Sequence, residues 1–296
     1  MATRTTGVNF PTELVAEMFS AVQGHSALAK LSGGRPIPFN GETVMVFSMN
    51  GEASIVGEGA NKPAGDASVT PKPIRPVKFV YQHRVSDEFM YASEEGKLDY
   101  LKTFADGFAK KIARGLDIAA MHGINPADLA DASFKATNSF DGQVSNVVTY
   151  AAANIDANID SAIATITAAG REVNGLALSP TAGSALAALK VNGVAQFPEF
   201  RFGQNPDAFY GMGSDVNSTV SVTGAATGSD TDHVIVGDFA NAFKWGYAKN
   251  IPLEVIAYGD PDGLGDLKRT NEVVLRSEAY IGWGILDPAS FARVKA

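Results

Sequence analysis

Four histidines, His25, His83, His122 and His233, are the natural starting point for any chemistry in this chain. Metal binding or acid/base work needs convergent partners, and no two of the four stand at a ligand spacing. Structural or surface roles fit each of them better. The chain has no cysteine, which removes disulfides, thiolate nucleophiles and Cys-ligated zinc together and accords with a reducing cytoplasm. "GMGSDV", from Gly211, is half of a dinucleotide fingerprint, but it lacks the final glycine and a surrounding strand-to-helix unit, so it reads as a turn. "GDPDGLGD", from Gly259, offers Asp260, Asp262 and Asp266 as oxygen ligands for calcium. Pro261 interrupts that pattern and the glycine is misplaced for an EF-hand, which leaves a hairpin-like loop. Glu94 and Glu95 point about 100° apart on a helix, where they serve its dipole rather than acid/base work. The sequon at Asn217 would matter only in a secreted protein, and nothing here directs secretion. No catalytic residue, metal or cofactor is expected.

A different signal lies in "KFVYQHRVSDEFMYASEEGK", residues 78 to 97, which changes from a basic, alternating strand to an acidic helix start. From Ala67 to Ser86 the charges are Lys72, Arg75, Lys78 and Arg84, and then Asp87, Glu88, Glu94, Glu95 and Asp99 follow. Between identical chains, a basic arm lying across a neighbour's acidic helix terminus would orient assembly. The expected interface residues are Lys72, Arg75, Lys78, Phe79, Tyr81 and Arg84 on the arm and its base, with Asp87, Glu88, Glu94 and Glu95 at the helix terminus. Exposed ion pairs contribute only about 0 to 1 kcal/mol each, so their effect would come from repetition.

The elements that carry these residues follow from periodicity. Residues 1 to 10 read as a loose arm, and a short helix runs from Pro11 to Gly24. "ETVMVFSM" and "VKFVYQHRV" are strand-like, and the Gly/Pro-rich excursion between them makes the pair an extended hairpin. An isolated two-stranded ribbon is marginal in water, so it must lean on something else. Ser93 is a candidate N-cap for a long helix from about Glu94 to His122, with Leu98, Leu101, Ala105, Phe108, Ile112, Leu116 and Ala119 on one face. "FKATNSFDGQVSNVVTY" reads as loop and short strand. "NIDANIDSAIATITAAG" is a second helix, "GLALSP" a buried strand, and "TAGSALAALKVNG" a third helix. "HVIVGDF", "FKWGYAK", "LEVIAY" and "NEVVLRSEAYIGWGIL" close the chain as strands. Helices in the middle and strands at the end argue α+β rather than repeated βαβ units.

Composition narrows the function classes. At 296 residues the chain can bury a core, and 45% hydrophobic against 19% charged residues argues against global disorder. A net charge of -8 disfavours general nucleic-acid binding, and no apolar stretch has membrane-spanning length.

"RVSDEFMYASEEGKLDYLKTFADGFAKKIARGLDIAAMHGINP", residues 84 to 126, closely resembles the start and spine helix of tailed-bacteriophage major capsid proteins of the Hong Kong 97-type fold. The resemblance extends over nearly the whole chain. "PTELVAEMFSAVQGHSALAKLS" is similar to that family's arm helix, and "IPFNGETVMVFSMNGEASIVGEGANKPAGDASVTPKPIRPVKFVYQHRVS" to its extended loop. "GLALSPTAGSALAALK" resembles the axial-domain strand and helix, and "VGDFANAFKWGYAKNIPLEV" with "NEVVLRSEAYIGWGILDPASFARVKA" the closing strands. The resemblance implies an arm over residues 1–36, an extended loop over 37–85, and a peripheral domain with the spine helix over 86–145. An axial domain over 146–265 and C-terminal strands returning to the peripheral domain over 266–296 would complete the subunit.

The function so implied is a major capsid protein that forms hexamers and pentamers of an icosahedral shell around double-stranded DNA. It would be assembled in the host cytoplasm and reside in the virion. Some members carry a scaffolding segment of about a hundred residues before the arm, whereas few residues precede Phe10 here, which leaves a separate scaffolding protein, favoured by the initiating Met1, or a segment already removed. Portal and decoration or minor capsid proteins are the other implied partners, with packaged DNA bound without sequence specificity and no membrane. Lys62, Lys72 and Lys78 lie in the extended loop, but no motif matches the acceptor Asn and assisting Glu of the cross-linking members. An encapsulin-like cage, a soluble enzyme using "GMGSDV" or the Asp260 loop, and a decoration module are the alternative readings.

Overall fold

A computed structural model describes residues 26–87, 94–224, 231–249 and 253–296, with side chains of the long helix described from residue 101. The candidate arm helix, Ser93, Glu88 and most of the "TGAATGSDTD" loop lie outside the described residues. Within them, a short helix α1 (Ala27–Leu31) precedes strands β1 (Glu42–Asn50), β2 (Asp66–Ile74) and β3 (Val77–Ser86). The long helix α2 (Glu94–His122) follows, as the apolar spacing predicts, and spans about 43 Å at ~1.5 Å per residue. Leu101, Ala105, Phe108, Ile112, Leu116 and Ala119 are all buried on one side of it. Helices α3 (Lys135–Asn138) and α4 (Phe140–Gln143) occupy the stretch that reads as a loop; Ser139 ends the first and caps the second by accepting from Gly142 N.

Apart from the β1–β2 ribbon and a small hairpin of β6 (Lys190–Val191) and β7 (Val194–Ala195), two sheets divide the rest. The first has six strands, in the order β4 (Val147–Thr149), β14 (Phe291–Lys295), β10 (Asp232–Gly237), β5 (Gly175–Leu178), β9 (Met212–Val216) and β8 (Ala208–Phe209). Helices α5 (Ile155–Ala168) and α6 (Pro180–Ala188) pack on it through Ile155, Ile159, Ile166 and Leu186. The second is built on β13 (Glu272–Ile285), which pairs with β11 (Phe243–Lys249), β12 (Leu253–Ile256) and β3. The chain is therefore α+β, with α2 covering the second sheet. The closing strands divide, β13 joining the sheet beneath α2 and β14 entering the first sheet between β4 and β10.

The pairing of the extended hairpin differs from the expectation. Strand β1 pairs with residues 66 to 74, and "VKFVYQHRV" pairs with β13 instead. Two prolines, Pro71 and Pro73, disguise β2 in the sequence; they are tolerated because the ribbon has a free edge on each side.

Two buried contacts hold the segment entering the ribbon. Residues 34 to 37 run along the edge of β11, with Arg35 N–H donating to Trp245 O at 2.9 Å and Ile37 N–H to Tyr247 O at 3.0 Å. The strap fits only because Gly246 lies beneath it: a Cβ there would meet the Arg35 carbonyl oxygen at 1.4 Å. Just before the strap, the Asp117 carboxylate of α2 accepts hydrogen bonds from Ser26 Oγ, Ala27 N–H at 2.9 Å and Leu28 N–H at 3.3 Å, and from Thr219 Oγ1 at 2.8 Å. One fully buried group thus ties α1, α2 and the 3-10 turn at residues 218–221 together. Burial pushes its carboxyl up to about 6 despite these hydrogen bonds, which favour the ionised form.

Gly246→Ala is expected to cost more than about 2 kcal/mol, because the strap must lift off β11; urea unfolding measures it. Between pH 4 and 6 the folded chain keeps a proton on Asp117 that the unfolded chain, with a carboxyl near ~3.9, has released. The stabilisation is complete below the unfolded value and is lost as the pH rises to about 6. Across that window wild-type unfolding free energy should fall by roughly 2 to 3 kcal/mol more than that of Asp117→Asn.

Candidate subunit interface

The ribbon β1–β2 is a sheet of its own. At its base Ile74 is fully buried and sits on β13, where side chains at Gly282 and Gly284 would collide with it; a Cβ on Gly284 would lie 2.8 Å from Ile74. Beyond the base one face is apolar and open to solvent. Met45 is 63% exposed, Phe47 61% and Met49 76%, and the register sets them opposite Pro71, Val69 and Ala67. These residues were not among the expected interface set. The signal available in "ETVMVFSM" was the alternation of Met45, Phe47 and Met49, but Val44 and Val46 between them are also apolar, so the pattern does not say which face is open.

The expected basic residues separate into two groups. Lys72, half-buried, and Arg75, exposed, lie at the ribbon base and line a cleft of about 650 Å³ together with Phe134 and Gln143. Neither forms an ion pair among the described residues. Those on β3 are neutralised within the chain. Lys78 pairs with Glu278 across the ladder at 2.8 Å. Arg84 lies at the centre of the aspartate-rich loop, contacting Asp262 at 2.7 Å, Glu272 at 2.7 Å and the Gly265 carbonyl oxygen at 2.8 Å. Its guanidinium holds Asp262 down to about 2. The loop that offers oxygen ligands for calcium is thus organised by an arginine, and Asp266 caps helix α7 (Leu267–Thr270).

Phe79 is half-buried, 6.3 Å from Trp283 and against Gly115 of α2, while Tyr81 is 41% exposed and 6.1 Å from Phe104. Asp87 pairs with Lys268 at 3.6 Å. Glu94 and Glu95 open α2, and their side chains, like Glu88, lie outside the described residues. The counter-charges of the basic strand therefore include Asp262, Glu272 and Glu278, some 180 to 200 residues away in the chain.

Of the remaining chemical candidates, His25 lies outside the described residues, and His122 and His233 are engaged. His122 is buried, with Nε2 2.9 Å from the Thr219 carbonyl oxygen and Nδ1 3.4 Å from Asp141 Oδ2. His122, Asp141 and Asp232 converge closely enough to suggest a cation site. The Arg293 guanidinium already supplies positive charge there, 3.0 Å from Asp232 and 2.8 Å from Asp141. His233 stacks on Tyr150 at 3.8 Å between ring centroids, and His83 is on β3. "GMGSDV", expected as a turn, is instead strand β9 from Met212 onward, paired in parallel with β5, and only Gly211 belongs to the preceding turn; Asp215 on this strand pairs with Lys30 at 3.2 Å.

A long helix over one sheet, a second sheet with two helices packed on it, and a ribbon that forms a sheet of its own define a capsid-type architecture. The phage capsid family model matches residues 6–296, and the chain belongs to that family. It is a major capsid protein whose copies form an icosahedral shell. Among solved structures, a chain from Mycobacterium phage Ogopogo is 33% identical with a TM-score of 0.79, over 92% of each chain. A chain from Gordonia phage Cozz is 29% identical with a TM-score of 0.73, over 92% of this chain and 86% of that one. One from Mycobacterium phage Bobi shares the fold at 18% identity, with a TM-score of 0.66 over 91% of this chain and 90% of that one. No curated protein matches the chain. Among the described residues no helix is long and apolar enough to cross a membrane.

Arg84→Met should release the loop at residues 259–266 without unfolding the sheet. Amide exchange is expected to accelerate across that loop while β13 stays protected.

Proposed function

We propose that copies of this chain form the hexamers and pentamers of the shell by laying the β1–β2 ribbon over an adjacent subunit. One observation carries this reading: a two-stranded ribbon, marginal by itself, is anchored at its base through Ile74 and, among the described residues, exposes Met45, Phe47 and Met49 on one face. In this reading residues 1–36 act as the arm, 37–76 as the extended loop, and β3 belongs with the peripheral region of residues 86–145. Residues 146–265 act as the axial region. Lys72 and Arg75 are the interface cations, since Lys78 and Arg84 are paired within the subunit. Assembly takes place in the host cytoplasm around a separate scaffolding protein, with portal and decoration or minor capsid proteins as further partners. The shell then encloses double-stranded DNA without sequence-specific contacts, in keeping with a net charge of -8.

Electron microscopy of the chain, alone and coexpressed with a scaffold candidate, is the test. Closed shells or five-fold and six-fold rings are expected, and compact monomers under both conditions would overturn the reading. Reversing Lys72 and Arg75 to Glu should lower the yield of sedimenting particles while the subunit remains folded; normal yield would remove these two residues from the interface.

A further inference from the structure

The ribbon has two edges, and its prolines make them unequal. In the β1–β2 ladder Pro71 stands opposite Met45 and Pro73 opposite Thr43. Proline has no N–H, so these pairs are the ones whose backbone groups point away from the ladder. Alternation then turns the backbones of Thr43, Met45, Phe47 and Met49 outward on β1, and those of Ala67, Val69, Pro71 and Pro73 outward on β2. The β2 edge has lost two donors to proline, a device that blocks strand addition, whereas the β1 edge keeps all its outward donors. Among the described residues the backbone of 43–49 makes no hydrogen bond beyond β2.

A second free edge lies on β3. It pairs only with β13, and the backbone of residues 77–85 makes no hydrogen bond elsewhere among the described residues. Beside it runs a cleft of about 540 Å³ between the strand and α2, lined mainly by Val77, Phe79, Tyr81, Ile112 and Phe134, with Lys78, Val80 and Lys111 also at its wall. The free edges match in length, with nine residues in β1 and ten in β3.

Resting on the assembly reading above, we infer that the β1 edge of one copy adds as a strand to the β3 edge of a second copy, in parallel orientation. The orientation follows from the ladders. Asp87 N–H donates to Asn271 O at 2.8 Å in continuation of the β3–β13 register, so the odd-numbered residues of β3 face β13 and the even-numbered ones face the free edge. In a parallel ladder a bonding residue lies beside the non-bonding residue of its neighbour and shares its face. Met45, Phe47 and Met49 then fall on the face of Val77, Phe79 and Tyr81, over the apolar cleft. Antiparallel addition would put them on the face of Lys78 and Val80.

The absence of cysteine makes the test direct. Single cysteines at Met45, Phe47 or Met49 are coassembled with Tyr81→Cys or Val80→Cys chains and oxidised in formed particles. At least one ribbon cysteine should cross-link to Tyr81→Cys and none preferentially to Val80→Cys; no cross-link to Tyr81→Cys, or preference for Val80→Cys, overturns the inference. In parallel, Met45→Pro removes an outward donor that the ribbon itself does not use, and Ala67→Pro makes the equivalent change on the already blunted edge. Particle yield should fall at least about tenfold for Met45→Pro and stay near wild type for Ala67→Pro. Normal yield from Met45→Pro while wild type forms shells overturns strand addition alone; failure of wild type to form particles overturns the assembly reading and the inference with it.

Discussion

The pairing of β3 with β13 is the interaction on which the rest of the subunit depends. Ten residue pairs run from Glu272 opposite Ser86 to Ile281 opposite Val77, and they join a segment near the start of the chain to one near its end. Because β13 also pairs with β11 and β12, it is the strand through which the sheet beneath α2 is assembled. Its side chains set the neighbouring layers. Ala279, Ile281 and Trp283 are fully buried in the core that includes Phe108, Ile112 and Leu116 of α2. Gly282 and Gly284 leave the hollow in which Ile74 anchors the ribbon. Without this ladder the ribbon would have no fixed base.

Polar groups then lock the long-range connections made by the sheet. Arg84 and Arg276 tie the loop at residues 259–266 to β3 and β13, the second through the Pro261 carbonyl oxygen at 3.2 Å and Gln82 at 3.0 Å. Asp117 does the same for α1, and Arg293 for the last strand, which it connects to β10 through Asp232. Such groups are costly to leave unpaired when buried, so they specify one arrangement of segments rather than adding much net stability. A shell subunit needs that uniqueness, because the same contact geometry must recur in every copy.

The division of labour between the two sheets is equally physical. Helices α5 and α6 close a second core on one face of the six-stranded sheet, while Ala177, Ile235 and Phe291 on its other face join the core beneath α2. The ribbon buries almost none. Its apolar face of Met45, Phe47 and Met49 is left exposed, and its β1 edge is the one not blunted by proline.

Much of this was legible in the chain itself. Periodicity placed α2 at residues 94–122, α5 and the four strands from β10 to β13, because local spacing of apolar residues reports one buried face without knowledge of the partner. Motif logic likewise read "GDPDGLGD" as a loop, but it took "GMGSDV" for a turn where Met212–Val216 is strand β9, because two glycines hide a strand whose partner β5 lies far back in the chain at residues 175–178. Strand pairing was different. "DASVTPKPI" carries two prolines and little apolar character, so nothing local marks it as the partner of "ETVMVFSM", whereas "VKFVYQHRV" has stronger β character and a partner near the other end of the chain. The charge segregation at residues 78–97 was visible, but its resolution by Asp262, Glu272 and Glu278 depends on contacts across nearly 200 residues, which only the folded sheet creates. Sequence alone determined the segments with regular apolar spacing and which family they resemble; tertiary structure decided the short helices at residues 135–143, the strands β2 and β9, which edges pair, which charges are consumed, and which apolar face remains exposed, because those are properties of long-range contacts rather than of local spacing.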